Sequence, residues 1–205
     1  MKRVLQIGLL VINLFLVYLI VESIMKPIRF NKEKDAREKI AIERLKDIRT
    51  AEVAYKSKYN KYTGSFDTLI NFLKVDSFDI KKNIGNFDPD AMTLKQAIRA
   101  GFIRVEVTKV SVKDSLFRKN YPIDSLKYVP FTGGRNEFEI GATVIKSGGL
   151  DVPVFEVKVE NNILLHGLDR QLIINYNDER LAKVKYKGLK VGSLIESNNN
   201  AGNWE

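Results

Sequence analysis

Few residues of this chain could carry out covalent or acid–base chemistry. The chain has no cysteine and one histidine, His166. A chain without cysteine has no thiolate nucleophile and no thiolate metal site. His166 stands in an apolar stretch, where a lone histidine usually has a structural role. We therefore expect no Ser-His-Asp chemistry, no metal site and no cofactor.

Acidic residues are the remaining candidates for catalysis. Asp88, Asp90, Asp169 and Asp178 would form an active site if the fold brought them into one pocket, because paired carboxylates act as general acid and base. Nothing in their spacing requires that arrangement. We expect a non-enzymatic protein without a small-molecule substrate, and a membrane-tethered enzyme built on these aspartates is the third alternative.

The chain is basic, with a net charge of +9 over 205 residues. Its lysines are spread along the sequence rather than gathered in an Arg-rich block, so we expect no nucleic-acid partner. A solvated, lipid-facing or partner-facing surface explains the charge better. The most basic tract, residues 183–190, is typical of an exposed strand edge.

An apolar run, Val4–Met25, opens the chain and is long enough to cross a bilayer core of about 30 Å. Lys2 and Arg3 precede it. The run is longer than a secretory signal, and residues 23–27 offer no small-x-small cleavage site, so we expect an uncleaved anchor. Pro27 predicts a kink or a break where the helix leaves the membrane.

The basic residues on the two sides of the apolar run predict opposite orientations of this anchor. Lys2 and Arg3 favour a cytoplasmic N-terminus, whereas the six basic residues between positions 26 and 39 favour the opposite. Long domains are translocated with little regard to charge. We expect a single-pass membrane protein with an exported head.

The segment Asn31–Tyr59 contains no Pro or Gly and is predicted to be a helical stem. Its first turns alternate acids and bases, which is typical of a solvated helix. An apolar stripe follows, and Glu52 fills one position of it. The members of the stripe are Ala41, Leu45, Ile48, Tyr55 and Tyr59. The last turns should therefore be embedded in the head.

The segment Arg44–Leu73 resembles the type IV pilin and type II secretion pseudopilin family. The residues that carry this likeness are Ile48, Thr50, Ala51, Tyr55, Tyr62, Thr63, Leu69 and Leu73. The resemblance implies an N-terminal membrane helix that continues as an amphipathic stem, followed by a short loop and a second helix. It also implies an inner-membrane protein with a periplasmic head and a structural role among other membrane-anchored subunits, including copies of the same chain.

The same resemblance implies processing after a glycine, before a Phe-like residue that an acid follows four positions later. Gly8 and Leu9 stand at the processing positions, and Asn13 stands where the acid would be. Leu9 and Asn13 depart from the family pattern, so a cleaved and an uncleaved N-terminus both remain open. Gln6 and Asn13 are the predicted hydrogen-bonding contacts with partner helices.

The rest of the chain has the pattern of a mixed head. We expect a loop over 76–90, a helix over 91–100 and a further helix within 168–181. Strands are predicted over 102–112, 128–131, 137–146 and 153–160. Alternation in the last of these predicts an apolar face formed by Phe155, Val157 and Val159. The polar tail carries Trp204, which is either a plug on the head or an exposed contact.

These observations predict an α+β fold in which a transmembrane helix continues into a stem, with a small antiparallel sheet on the stem's C-terminal half. The expected divisions are 1–30 for the membrane helix, 31–74 for the stem and the next helix, and 75–205 for the head. The expected function is a pilin-like or pseudopilin-like subunit of an envelope secretion or fimbrial apparatus. The alternative is a non-polymerising bitopic scaffold or adaptor.

Overall fold

The computed structural model describes Met1 and residues 6–205 in full, and residues 2–5 by their backbone alone. The side chains of Lys2 and Arg3 therefore lie outside the described residues. The fold is α+β, as predicted. Its helices are α1 (Lys2–Tyr59), α2 (Phe66–Val75), α3 (Leu94–Arg99), α4 (Val112–Leu116), α5 (Asn161–Leu164) and α6 (Arg170–Val184). Its strands are β1 (Ser77–Gly85), β2 (Ile103–Ser111), β3 (Glu139–Ser147), β4 (Leu150–Glu160) and β5 (Gly188–Gly192).

Helix α1 is one uninterrupted element of 58 residues, which corresponds to a length of about 87 Å. Pro27 lies inside it, so a break there is wrong, whereas a kink at Pro27 stays a prediction. Proline removes one intrahelical hydrogen bond, to the carbonyl of Ser23. Two ion pairs lie near Pro27. Arg29 bonds Glu22 within α1, and Lys26 pairs with Asp169 of the head.

The two halves of α1 have different environments. Within the described residues, one helix is long and apolar enough to cross a membrane by length and composition, and its apolar N-terminal stretch is not buried. The C-terminal half is buried along one side from Phe30 onwards, through Leu45 and Ile48 to Tyr55. Most of residues 31–36 are exposed, as expected, although the head already contacts this part of α1.

The end of α1 depends on Asn60, which adopts a left-handed conformation with φ 58° and closes the last turn. Residues 60–65 reverse the chain, and Ser65 caps α2 by accepting the Thr68 N–H. Helix α2 then packs against α1, where the rings of Tyr55 and Phe72 meet edge to face at 5.2 Å between centroids.

A three-stranded antiparallel sheet, in the order β3-β4-β5, covers the other side of the core. Phe155, Val157 and Val159 of β4 are buried on one face, which confirms the predicted apolar face of this strand. They join Leu189 and Val191 of β5 in the same hydrophobic core as α1. Burial of these side chains is the main stabilising contribution to the head.

A second, two-stranded sheet forms an arm, which we define as β1, α3 and β2. The arm corrects the sequence analysis, because β1 lies where a loop was predicted. Of the eighteen positions in its two strands, only Ile103 is buried. The strand predicted over 128–131 is also absent, and Tyr128 makes only an isolated bridge with Glu137.

Gly192 and Gly149 provide a test of how tightly β4 and β5 pack. Both have positive φ, at 75° and 83°, but a Cβ at Gly192 would lie 2.1 Å from the Phe155 carbonyl oxygen, whereas open space surrounds Gly149. We predict that Gly149→Ala lowers the free energy of unfolding by about 1 kcal/mol, from backbone strain alone. Gly192→Ala should cost at least about 3 kcal/mol, because the clash adds to the same strain. Urea unfolding of the two variants checks this, and equal losses would contradict it.

Candidate functional site

The pilin-like signature residues gather around the junction between α1 and α2. Seven of the eight are buried in one core: Ile48, Ala51, Tyr55, Tyr62, Thr63, Leu69 and Leu73. Thr50 is exposed, and its hydroxyl donates to the Lys46 carbonyl at 3.0 Å within the helix. The pattern therefore marks packing positions rather than a ligand site.

Glu52 lies at the centre of this junction with no exposed surface. Its Oε2 accepts the backbone N–H of Thr63 at 3.0 Å, which ties the chain reversal to the helix. Its Oε1 has no hydrogen-bond partner. A buried acid with one unsatisfied oxygen is costly when charged, because the protein interior solvates charge poorly.

Burial raises the pKa of Glu52 from 4.5 to about 8, and the hydrogen bond from Thr63 opposes that rise only in part. The carboxyl group is therefore mostly protonated and neutral at pH 7. The sequence contained a signal for this residue, since Glu52 occupies a position of the apolar stripe. The structure places this position in the core.

Several polar contacts attach the stem to the head outside this junction, and three of them involve Tyr176, Tyr121 and Arg37. The Tyr176 hydroxyl donates to Glu38 at 2.6 Å, and the Tyr121 hydroxyl donates to Asp47. Burial raises the pKa of both tyrosines, and the neighbouring carboxylates add to the effect. Arg37 donates to the carbonyl oxygen of His166 at 2.9 Å. These bonds fix the rotation of the head about α1.

The polar tail packs against the same junction. Asn200 donates to the Tyr62 hydroxyl at 2.9 Å, and Arg49 pairs with Glu205 at 2.8 Å. The hydrogen bond from Arg49 lowers the pKa of Glu205. Trp204 is half-buried against the core, which favours packing on the head over an exposed contact. An open groove of about 620 Å³ remains beside the tail, between Val53 and Phe78.

The residues predicted to contact partner helices lie on the exposed half of α1. Gln6 and Asn13 are exposed and stand seven residues apart, so they share one side of the helix. Leu9 is 62% exposed, and no atom lies within 4 Å of a Cβ placed on Gly8. A partner helix or a protease could reach all four positions.

Two of the four aspartates of the enzymatic alternative, Asp88 and Asp169, have local structural roles. Asp88 accepts the backbone N–H of Asp90 at 3.0 Å in a turn, and Asp169 caps α6 and pairs with Lys26. Asp178 lies on α6. Among the described residues, no group of three or more His, Cys, Asp or Glu could hold a metal ion.

Comparison of the chain with protein-family models, with curated proteins and with solved structures found no match.

Glu52 makes the stability of the head dependent on pH. The unfolded chain releases this proton near pH 4.5, whereas the folded chain holds it to about pH 8. The folded state thus binds more protons in this window, and the free energy of unfolding should fall by roughly 5 kcal/mol from pH 4.5 to 8 through this group. The side chain in Glu52→Gln is neutral at every pH in this range. The free energy of unfolding of this variant should therefore change much less with pH. Denaturant titrations over this pH range measure it.

Glu43→Gln is the matched control, because Glu43 is exposed on the same helix. It should keep the pH slope of the unchanged chain. A Glu52→Gln variant with that same slope would show that the buried acid does not titrate as described.

Proposed function

We propose that this chain is a non-enzymatic, pilin-like or pseudopilin-like subunit of a bacterial envelope secretion or fimbrial apparatus. In this proposal, the first half of α1 anchors the protein in the inner membrane as a single span. The second half carries the head and holds it at a set distance and rotation. The partners are other membrane-anchored subunits, including copies of this chain.

One observation carries the proposal: a single helix is both an exposed apolar rod and the core of an α+β head. Between Gln6 and Met25 the helix has no neighbours in the described structure, whereas Leu45, Ile48 and Ala51 have no exposed surface. An exposed apolar rod of this length needs lipid or other helices around it. The signature residues at the junction support the same family likeness.

Gln6 and Asn13 are the proposed points of lateral contact. In a hydrocarbon core, a hydrogen bond between an amide side chain and a partner helix is stabilising, because lipid tails supply no hydrogen-bond partner. Their shared side of α1 defines the contact face. A charged acid would offer an ion pair at position 13, whereas Asn13 offers a neutral hydrogen bond.

The contact face can be tested by photo-crosslinking in membranes from a photoreactive residue at Val17, one turn beyond Asn13. We predict crosslinks to another subunit, and Asn13→Leu should lower their yield by about threefold through loss of an interhelical hydrogen bond. Tyr18→Phe is the control, since it removes a hydroxyl from a different side of α1 and should leave the yield unchanged. Crosslinks to lipid alone, with no protein partner, would refute the proposal.

The location of the head is testable because the chain has no cysteine. Lys81 is exposed on the arm, and Lys81→Cys introduces one thiol far from the stem. We predict that a membrane-impermeant maleimide labels this thiol in intact spheroplasts, because the head lies outside the inner membrane. Labelling that appears only after the inner membrane is opened would place the head in the cytoplasm.

The second candidate is a bitopic scaffold or adaptor that does not polymerise. The departures at Leu9 and Asn13 favour it, because they weaken the likeness at the processing site. The two candidates differ in the mature N-terminus. N-terminal sequencing should find Leu9 on the pilin route and Met1 on an uncleaved anchor.

A further inference from the structure

Two grooves adjoin on the part of the head that lies nearest the apolar half of α1. One, of about 380 Å³, lies between α5 and the first turns of α6, and the other, of about 480 Å³, lies against the loop 131–136. Asn162 and His166 line both, so the two are neighbours. We call the pair the basal groove, which is lined from residues 131–136, 162–168 and 170–174.

The basal groove suits an anion. Arg135 and Arg170 line it with His166, and no acidic residue is among its lining residues. Among the described residues, neither arginine forms an ion pair. The side-chain oxygen of Asn162 accepts a bond from Asn177 at 3.1 Å, which leaves the Asn162 amide nitrogen as a donor. Arginine is well suited to phosphate, because its planar fork donates two parallel hydrogen bonds.

The basal groove also has apolar lining residues, which a site for a free anion would not need. Phe131 and Ile174 are 53% and 42% exposed at its rim, and Leu168 and Ile173 line its wall. A ligand with a phosphate beside an apolar portion satisfies both kinds of surface. Phospholipids have this composition.

Two contacts place the groove beside the end of the apolar helix. Lys26 follows Met25 directly, and its Nζ lies 2.8 Å from Asp169, the neighbour of Arg170. Arg37 bonds the His166 carbonyl oxygen at 2.9 Å. The groove therefore lies alongside residues 26–37 of α1. If residues 6–25 cover the hydrocarbon core of about 30 Å, the groove begins at the level of the lipid headgroups.

We propose that the basal groove binds the phosphate headgroup of an anionic phospholipid in the membrane that holds α1. Arg135 and Arg170 bind the phosphate oxygens, and Phe131 and Ile174 contact the glycerol and the upper acyl chain. This inference rests on the proposed membrane anchorage and adds a ligand class to it. Lipid binding would hold the base of the head against the membrane surface.

The test uses the full chain in nanodiscs, with Asn136→Cys labelled by a fluorophore that reports polarity. Asn136 lines the groove, and the label has one attachment site because the chain lacks cysteine. We predict a blue-shifted emission that grows as phosphatidylglycerol replaces phosphatidylcholine. Arg135→Gln and Arg170→Gln should each weaken the apparent lipid affinity about fivefold. Hydrogen exchange of residues 131–136 in the unlabelled chain gives an independent readout.

Arg99→Gln and Arg104→Gln form the matched control, because both residues are exposed on the arm and their loss changes the net charge equally. The control should keep the response of the unchanged chain. A response that inorganic phosphate reproduces in neutral discs would identify a free-anion site and overturn the lipid proposal. A response that requires two chains in one disc would identify a contact between copies and overturn it as well.

The experiment separates this inference from the proposed function. A chain that is not retained in any nanodisc contradicts membrane anchorage, and the lipid site is lost with it. A chain that is retained, but whose signal ignores phosphatidylglycerol or survives both arginine substitutions, leaves the anchorage standing and overturns the lipid site alone.

Discussion

The structure depends on the burial of one side of α1 within the head. The buried side of α1, from Phe30 to Tyr55, supplies the centre of the core, and α2, the three-stranded sheet and the tail pack on it. The head has no other element of that length to organise its layers. Stability of the head and continuity of the helix are therefore linked, because damage to the buried side of α1 removes the surface on which α2, α5 and β5 pack.

Glu52 shows how a polar group can serve such a core. An apolar residue at this position would pack at lower cost, but it would leave the Thr63 N–H without its acceptor. The protonated acid accepts that bond while remaining neutral, so the chain reversal after Tyr59 keeps its place against the helix. The cost is one carboxyl oxygen without a partner. Alkaline conditions weaken this junction, because they ionise a carboxyl group that the interior solvates poorly.

Local patterns in the sequence predicted the elements whose periodicity is strong. The charged and apolar repeats of α1 identified the helix, and alternation in β4 identified its buried face. The strand β1 was missed because Asp, Asn and Gly in and around SFDIKKNIG indicate turns, while pairing with β2 overrides that preference. Of the kink or break predicted at Pro27, the break is absent because proline removes only one hydrogen bond of a long helix. Long-range contacts, such as Arg37 with the His166 carbonyl, have no local signal, and so the basal groove could not be predicted.

The unbroken passage of α1 through Pro27 has a mechanical consequence. A continuous helix couples the directions of its two ends, so an inclination of the apolar half moves the head. In a bilayer, a tilt of about 20° of a straight helix would move Tyr59 sideways by roughly 17 Å relative to Met25. The packing of α1 against neighbouring helices, which sets its tilt, would then determine where the head meets other subunits.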